Sequence, residues 1–212
     1  MSDTDHLDNT TPEPQHGFEP EVRAETPDET QIRFMTRLKH LGQQIYQQGI
    51  WLTLVEGAEN TIRISTGAPT RRFTEITPQL FVGGQYSRRG WLTLKARGIT
   101  AVVNMRSEFD DERAGIAIER HLRLPTVDNT PPSLENLSEG VAFISREIER
   151  GGKVYVHCWE GVGRGPTMAA AYLISTGLTP EQAWQTIRHV RPFIRPTAAQ
   201  VAQIERFAAL SR

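Results

Sequence analysis

The sequence predicts an α/β domain with a mainly parallel central sheet, flanked by helices and closed by a C-terminal helical layer. From about residue 73 onward, short apolar runs of strand length alternate with amphipathic segments of helical length. This alternation is typical of parallel strands whose two faces are both covered. The last strand runs into a glycine-rich loop, and in such sheets ligands bind beyond the carboxyl ends of the strands. The fold class therefore also predicts where a binding site lies.

Four apolar runs in this region are the predicted strands. The clearest of these runs places Val154 and Val156 on one face of a strand. The third run alternates and has the weakest pattern. Helix-length segments separate most consecutive runs, which favours parallel pairing. The strands are expected at 80–82, 99–104, 120–124 and 153–157, with two further short strands at 50–55 and 61–65.

Five helices are predicted between and after these strands. Serine and threonine precede most of them, and their side chains accept hydrogen bonds from the amides of the first turn. A proline fits the first turn of a helix, and glycines follow several of the predicted ends. The helices are expected at 88–97, 134–150, 166–176, 180–190 and 198–210, with caps at Ser87, Ser133, Thr179 and Thr197.

The N-terminal third differs in composition from the rest of the chain. Residues 1–30 carry nine acidic side chains against one basic side chain, with four prolines, which predicts a disordered acidic tail. Residues 31–70 are expected to form an N-terminal amphipathic helical extension of the domain at 71–212. The segment 31–48 has apolar residues near helical spacing among basic ones. It is interpreted either as a helix packed on the domain or as a basic amphipathic helix on an anionic membrane.

Charge and cysteine content exclude several classes of protein. Residues 31–212 carry 23 basic and 16 acidic side chains, a net charge of +7 that suits an anionic substrate. The single cysteine excludes an intramolecular disulfide and a cysteine-rich zinc site. Without a secretion signal or a long apolar stretch, we expect a cytoplasmic protein. In the second interpretation above, peripheral membrane contact is made by residues 31–48.

The loop after the last strand has the features of an anion-binding site. Gly161 and Gly163 allow backbone conformations in which successive amides turn toward one point. The following helix adds positive potential, and Arg164 presents a planar fork matched to two phosphate oxygens. The same field stabilises the thiolate of Cys158, which predicts a nucleophile. The candidate phosphate-binding residues are Trp159, Glu160, Gly161, Val162, Gly163 and Arg164.

Two further side chains are candidates for catalysis. His157 either hydrogen-bonds the loop and holds Cys158, or simply ends the strand. Phosphoryl transfer to sulfur also requires a protonated leaving oxygen, so an acid must come from another loop. Asp128 lies thirty residues before Cys158, in a proline-containing loop between a strand and a helix. We expect it to reach the same edge of the sheet; the alternative is that it caps a turn.

The segment from His157 to Arg164 resembles the His-Cys-x5-Arg signature of the Cys-based protein tyrosine phosphatase superfamily. Other segments resemble its dual-specificity branch, including bacterial dual-specificity phosphatases and the mitochondrial phosphatase that acts on phosphatidylglycerophosphate. These segments are 122–128, 154–158, 168–174 and 194–196.

The resemblance implies a dual-specificity phosphatase-like fold and hydrolysis of phosphomonoesters. Cys158 would form a phosphocysteine, and Arg164 would clamp the phosphoryl group. Asp128 would act as an acid in the first step and as a base in the second. The resemblance also implies that neither a cofactor nor a metal is needed.

The sequence departs from the family pattern at two positions. Gly165 stands where the family has a serine or threonine whose hydroxyl eases departure of the cysteine sulfur. Hydrolysis of the intermediate is therefore expected to be slow unless Thr167 substitutes. Glu160 puts a carboxylate in the loop, and we expect it to point outward, since an inward carboxylate would oppose a dianion.

Three functions remain open on the sequence alone. The first is hydrolysis of phosphotyrosine and phosphoserine or phosphothreonine in proteins. The second is hydrolysis of a phospholipid of the phosphatidylglycerophosphate or phosphoinositide type, which the basic segment 31–48 suits. The third is a low-turnover, phosphate-binding pseudophosphatase, motivated by Gly165 and Glu160. No interleaving of basic and aromatic residues supports a nucleic-acid partner, so the expected partner is a phosphorylated protein or phospholipid.

Overall fold

A four-stranded parallel sheet forms the centre of the domain. The computed structural model describes Gly42 and residues 49–211. The strands lie in the order β1-β4-β2-β3, and each neighbouring pair is parallel. The α/β class with a parallel sheet is therefore confirmed. The strands are β1 (Leu80–Gly83), β2 (Ala101–Arg106), β3 (His121–Thr126) and β4 (Val154–His157).

Six helices of eight residues or more surround this sheet within the described residues. The four predicted caps are confirmed, because Ser87, Ser133, Thr179 and Thr197 each accept a hydrogen bond from an amide three residues on. The helix after the glycine-rich loop begins two residues earlier than predicted, at Arg164. The helices are α1 (Ile50–Thr66), α2 (Arg88–Ala96), α3 (Leu134–Glu149), α4 (Arg164–Ser175), α5 (Pro180–Val190) and α6 (Ala198–Leu210).

The two faces of the sheet bury different sets of side chains. Along β4, Val154 and Val156 join the larger apolar cluster with residues of α3 to α6, whereas Tyr155 between them joins a smaller cluster with α2. This alternation follows from the two-residue period of a strand. Helix α4 is buried along almost its whole length, and its three consecutive alanines are fully buried. The central strand β4 and helix α4 therefore hold the loop between them from both ends.

The segment before the sheet corrects one prediction. The two short strands expected at 50–55 and 61–65 are wrong, because both segments belong to the single helix α1. Its buried residues Glu56, Glu59 and Arg63 lie on one helical face, so polar contacts with the domain fix the helix where an apolar pattern does not. No helix of the described part of the chain is long and apolar enough to cross a membrane.

Two predictions fall outside what the structure describes. The acidic tail at 1–30 is one of them. The other is the helix at 31–48, of which only Gly42 is described, as a helical residue.

Candidate active site

Cys158 lies directly after the buried strand β4, at the base of the loop 158–163, which we call the Cys158 loop. The cysteine is 3% exposed, and the amide of Gly161 donates to its sulfur at 3.2 Å. Gly161 has φ of +74°, and a Cβ there would lie 2.3 Å from the carbonyl carbon of Gly83. Only glycine fits this position, because any side chain would meet the backbone of β1. The loop thus turns at least one amide toward the sulfur.

Arg164 closes the loop and is almost completely buried. Its two terminal nitrogens donate to the carboxylate of Glu108 at 2.8 and 3.0 Å. Nη1 also donates to the carbonyl of Thr126 at 2.9 Å, and Nη2 lies 3.0 Å from Asp128 Oδ1. Burial lowers the pKa of Arg164, but the hydrogen bond with Glu108 and the charge of Cys158 outweigh it, so the pKa is raised. The guanidinium is therefore a fixed cation beside the nucleophile.

Asp128 reaches this site from the loop 127–132, which we call the Asp128 loop. Its side chain is 67% exposed, although its carboxylate contacts the buried Arg164. The next residue, Asn129, has φ of +61°, the left-handed conformation that asparagine tolerates better than most residues. Gln200 of α6 donates to the carbonyl of Thr130 at 3.0 Å. Asp128, which was expected at the same edge of the sheet as Cys158, thus lies beside Arg164.

His157 is fully buried at the end of β4 and contacts an acid that the sequence analysis did not identify. Its Nε2 lies 2.9 Å from Asp111 Oδ2. Asp111 Oδ1 accepts from the side-chain amide of Gln85 at 3.0 Å. Burial raises the pKa of Asp111, but the hydrogen bonds with His157 and Gln85 outweigh it, so its pKa is lowered. The carboxylate is therefore ionised, and the His157 nitrogen that faces it donates.

Glu108 is the second acid that the sequence analysis missed. Burial raises the pKa of Glu108, but its hydrogen bonds with Arg164 and Arg106 outweigh this effect, so the pKa is lowered to about 2. Glu108 follows β2, which is adjacent to β4 in the sheet, so it lies at the same edge as Cys158. A carboxylate just past the end of an apolar strand was the available signal, but the neighbouring acids Asp110 and Asp111 carry the same signal. Only the strand order distinguishes their partners.

Arg191 supports the Cys158 loop from behind and was also missed. It is 1% exposed and donates to three carbonyls: Gly161 and Glu160, both at 2.6 Å, and Phe73 at 2.9 Å. Burial lowers the pKa of this arginine. Since the carbonyls of the loop point toward Arg191, the amides between them can point toward the sulfur. The sequence shows no periodicity that would single out this arginine among twenty-four basic residues.

The two large side chains of the loop face different surroundings. Trp159 is 47% exposed, and the guanidinium carbons of Arg63 and Arg106 lie 5.2 and 4.9 Å from its ring centre. Glu160 lies 4.0 Å from Arg195, and burial raises its pKa. Trp159 is thus accessible at the rim of the site, whereas Glu160 is directed to a cation of the segment between α5 and α6.

Thr167 and Gly165 decide whether a hydroxyl is available near the sulfur of Cys158. Thr167 is fully buried, and its hydroxyl donates to the carbonyl of Gly163 at 2.9 Å. That hydroxyl is committed to the helix backbone. A Cβ built on Gly165 would have its nearest neighbours at 3.6 and 3.7 Å, the closest of them Val82 and the amide nitrogen of Cys158. A serine therefore fits at 165 in ordinary contact distance, next to the nucleophile.

A parallel sheet whose central strand ends in a cysteine, followed by an amide-lined loop and a buried arginine, defines the class of Cys-based phosphatases. The chain matches the family model described as the catalytic domain of dual specificity phosphatases over residues 80–209. This match covers more than half of the chain and shows the family. The chain belongs to the dual specificity phosphatases, as the resemblance of its signature implied.

Individual relatives are also similar to this chain. The human protein named phosphatidylglycerophosphatase and protein-tyrosine phosphatase 1 is 35% identical in an alignment 119 residues long that covers 51% of this chain and 59% of that protein. Human dual specificity protein phosphatase 1 is 29% identical over 135 residues, 63% of this chain and 36% of that protein. The chain thus spans between about a third and three fifths of the length of these curated relatives.

Solved structures show the same fold. The crystal structure of PTPMT1 in complex with PI(5)P superimposes with a TM-score of 0.57 at 30% identity, covering 64% of this chain and 94% of that chain. The structure of Tk-PTP in the active form gives 0.58 at 26% identity, over 66% of this chain and 99% of that chain. The family model begins at residue 80, so helix α1 precedes the region that matches it.

Proposed function

We propose that this chain hydrolyses phosphomonoesters through a phosphocysteine intermediate, in the manner of dual-specificity phosphatases acting on phosphorylated tyrosine, serine and threonine. One observation carries the proposal. The sulfur of Cys158 accepts a hydrogen bond from an amide of the loop that Arg164 closes. The carboxylate of Asp128 lies 3.0 Å from the same arginine. A nucleophile, an anion-binding loop, a fixed cation and a candidate acid therefore share one edge of the sheet.

In the first step the thiolate of Cys158 attacks phosphorus, and the bond between phosphorus and the leaving oxygen breaks. Asp128 protonates that oxygen as it leaves, so the product is a neutral alcohol or phenol. The amides of the Cys158 loop and the guanidinium of Arg164 bind the three remaining oxygens, whose charge is stabilised by fixed donors. Nε of Arg164 is buried without a hydrogen-bond partner among the described residues, and it is available for one of these oxygens.

In the second step water attacks the phosphocysteine. Asp128, now a carboxylate, accepts a proton from the water, the phosphorus–sulfur bond breaks and Cys158 returns as a thiolate. Glu108 and Asp111 support this chemistry indirectly, since one holds Arg164 and the other holds His157. Gly165 supplies no hydroxyl for the departing sulfur, so we expect this second step to limit turnover.

The substitution Cys158→Ser tests the proposal most directly. Because the serine hydroxyl is a far weaker nucleophile than a thiolate, hydrolysis of an aryl phosphate should fall to background. Binding of inorganic phosphate to the variant should persist, because the loop and Arg164 are unchanged. Unchanged hydrolysis would contradict the proposal. Phosphate binding by the wild-type chain without steady-state turnover would instead support the pseudophosphatase.

A phospholipid phosphatase is the second candidate, and the surface of α1 favours it. All three charged residues of this helix are buried, so its exposed side carries no charge. Of the nine exposed large hydrophobic residues in the described part of the chain, five lie on α1 and two more, Val127 and Trp159, flank the site. Such a patch marks an interaction surface for protein or membrane. The five on α1 are Ile50, Trp51, Leu54, Ile62 and Ile64.

The sequence next to this surface supports a membrane as its partner. Residues 31–48 carry three arginines or lysines and no acid, which suits anionic lipids. One relative is named for phosphatidylglycerophosphate, and one similar structure was solved with PI(5)P. The location that we propose is accordingly the cytoplasm, with peripheral membrane contact through residues 31–48 and α1.

A panel of substrates on the full chain separates the two candidates. Phosphopeptides and vesicles containing a phosphorylated anionic lipid are compared for the wild type, for Trp51→Ser/Leu54→Ser, and for the control Leu92→Ser, an exposed leucine on α2. The lipid candidate predicts a preference for vesicles that the double variant loses and the control keeps. Equal activity of all three proteins on vesicles, or a preference for phosphopeptides throughout, would favour the protein phosphatase.

A further inference from the structure

Gln85 lies where the N-terminal helix meets the Cys158 loop. Its backbone amide donates to the carbonyl of Trp159 at 2.9 Å. Its own carbonyl accepts from Nη1 of Arg63, a buried residue of α1, also at 2.9 Å. One peptide segment thus joins α1 to the residue that follows the nucleophile.

The side chain of Gln85 joins two further branches of the site. Its amide nitrogen donates to Asp111, which holds His157. Its amide oxygen accepts from Arg106 at 2.9 Å. Arg106 in turn donates to Glu108, the carboxylate that holds Arg164. Gln85 is buried, so each of these four hydrogen bonds forms away from water and is costly to leave unmade.

The neighbouring residue shows how closely these parts approach each other. A Cβ built on Gly84 would lie 2.7 Å from both Nε of Arg63 and the carbonyl oxygen of Trp159. The contact between α1 and the loop therefore depends on the absence of a side chain at this position. Arg63 is also 5.2 Å from the centre of the Trp159 ring, so the helix contacts Trp159 directly at its ring and reaches its carbonyl through the backbone of Gln85.

Helix α1 also reaches the far end of the loop. Glu56 accepts both terminal nitrogens of Arg195, and the backbone amide of Arg195 donates to the carbonyl of Val162 at 2.7 Å. These anchors come from a helix that precedes the residues 80–209 matched by the family model. The loop is therefore held from two sides by an element that the family region does not include.

We propose that Gln85 is a positioning residue of the active site, through which Arg63 of helix α1 fixes the start of the Cys158 loop and through whose side chain His157 and Arg164 keep a common orientation. Neither Gln85 nor Arg63 touches the substrate in this role. The proposal rests on the proposed phosphatase reaction for its kinetic readout, but the binding of inorganic phosphate tests it separately.

The first variant is Gln85→Met, which keeps the length of the side chain and removes both of its polar groups. The backbone hydrogen bonds stay, whereas the branches to Asp111 and Arg106 are cut. Loss of these bonds should weaken inorganic phosphate binding about two- to 150-fold, the range of coupling found for residues within one network. KM for an aryl phosphate should rise by the same factor. A role in folding alone would lower the Tm and leave phosphate affinity and KM unchanged, which would overturn the proposal.

The second variant is Arg63→Met, and its matched control is Thr70→Val. Thr70 donates its hydroxyl to Glu59 of α1, so Thr70→Val also removes a buried bond to this helix, but one that does not lead to the loop. Arg63→Met should weaken phosphate binding, whereas Thr70→Val should lower the Tm and leave phosphate affinity at the wild-type value. Equal affinity losses in both would mean that the loop needs only a docked helix, which overturns the role of Arg63.

The two substitutions together test whether the backbone branch from Arg63 and the side-chain branches to Asp111 and Arg106 act as one network at Gln85. If they do, the affinity loss of the double variant Arg63→Met/Gln85→Met is smaller than the product of the two single losses. Multiplicative losses would mean that the two branches act independently, which overturns the joint role of Gln85. Phosphate binding is measured by calorimetry in the Cys158→Ser background. A chain that binds phosphate but fails to turn over would therefore refute the proposed reaction and still decide the role of Gln85.

Discussion

The Cys158 loop and the Asp128 loop meet at one arginine, yet they are built in opposite ways. Cys158 and Arg164 are 3% and 1% exposed. Behind the loop, Arg191 donates hydrogen bonds to two of its backbone carbonyls. The side chain of Asp128 is 67% exposed, and its loop is held at its backbone from α6. The first region is fixed before a substrate arrives, whereas the second offers its functional group to solvent.

This difference matches the two tasks of the site. Donors that stabilise developing negative charge act best when they need no reorganisation, which requires burial and many fixed bonds. An acid must contact leaving groups of different size and then exchange them for water, which requires access. Substitutions that remove the buried hydrogen bonds of the first region should therefore alter binding and stability together, and substitutions in the second should alter rate alone. The following experiments test this contrast, beginning with the largest expected effect.

Asp128→Asn should lower kcat/KM, which reports the first step, by about 10²–10⁴ for an alkyl phosphate, because the leaving oxygen departs without a proton. The loss should be much smaller for an aryl phosphate with a low-pKa phenol. The Tm should stay near that of the wild type, since the side chain is exposed. Steady-state kinetics on both substrates and a thermal scan measure these effects. An equal loss on both substrates would remove Asp128 from the role of acid.

Arg191→Met should lower the free energy of unfolding by about 3 kcal/mol, because three buried carbonyls lose their donor. Phosphate affinity should fall as well, since the loop amides lose the support that aims them. Chemical denaturation and phosphate titration are the measurements. Arg188→Met, an exposed arginine on α5, is the control and should stay within about 0.5 kcal/mol. Full stability of Arg191→Met would show that the loop does not depend on this support.

Gly165→Ser should speed breakdown of the phosphocysteine and raise kcat several-fold. A Cβ fits at this position, and its hydroxyl would lie beside the departing sulfur. Rapid-mixing kinetics should then show a smaller burst of phenol relative to the steady state. Gly165→Ala is the matched control, because it adds the Cβ without the hydroxyl and should leave the burst unchanged. An identical burst in wild type and both variants would mean that sulfur departure does not limit turnover.

Glu108→Gln should have the smallest of these effects, a small loss of stability with a defined pH dependence. The pKa of Glu108 falls from 4.5 to about 2 on folding, so its ionised form stabilises the folded state above pH 4.5. This contribution is lost as the pH falls from 4.5 through 2. Because the side chain is 42% exposed, we expect less than about 1 kcal/mol. Denaturation at pH 6 and pH 3 should show a wild-type advantage that shrinks at the lower pH. An equal advantage at both values would contradict ionic pairing.

The pattern of the α/β domain could be predicted because local signals decided it. Each predicted cap residue accepts a hydrogen bond from an amide of the first helical turn. The apolar runs form strands whose ends differ from the predicted ones by one or two residues. The prediction was wrong for α1, where the Thr61–Ser65 stretch alternates as a strand does. There the buried face is polar, so a criterion based on apolar periodicity finds the wrong element. Glu56 pairs with Arg195, and Arg63 donates to the carbonyl of Gln85. Both partners lie outside the helix and more than twenty residues along the sequence.

The sequence by itself determined the alternation of strands and helices, and it predicted the candidate nucleophile Cys158, Arg164 and the candidate acid Asp128, because these follow from residue type, spacing and local hydrogen bonds. Only the tertiary structure decided which acid holds which basic side chain. Glu108, Asp110 and Asp111 lie within four residues of one another, yet they pair with Arg164, Arg123 and His157. The strand order β1-β4-β2-β3 sets these distances. Ion pairs and buried hydrogen bonds depend on separation in space, which a single sequence does not contain.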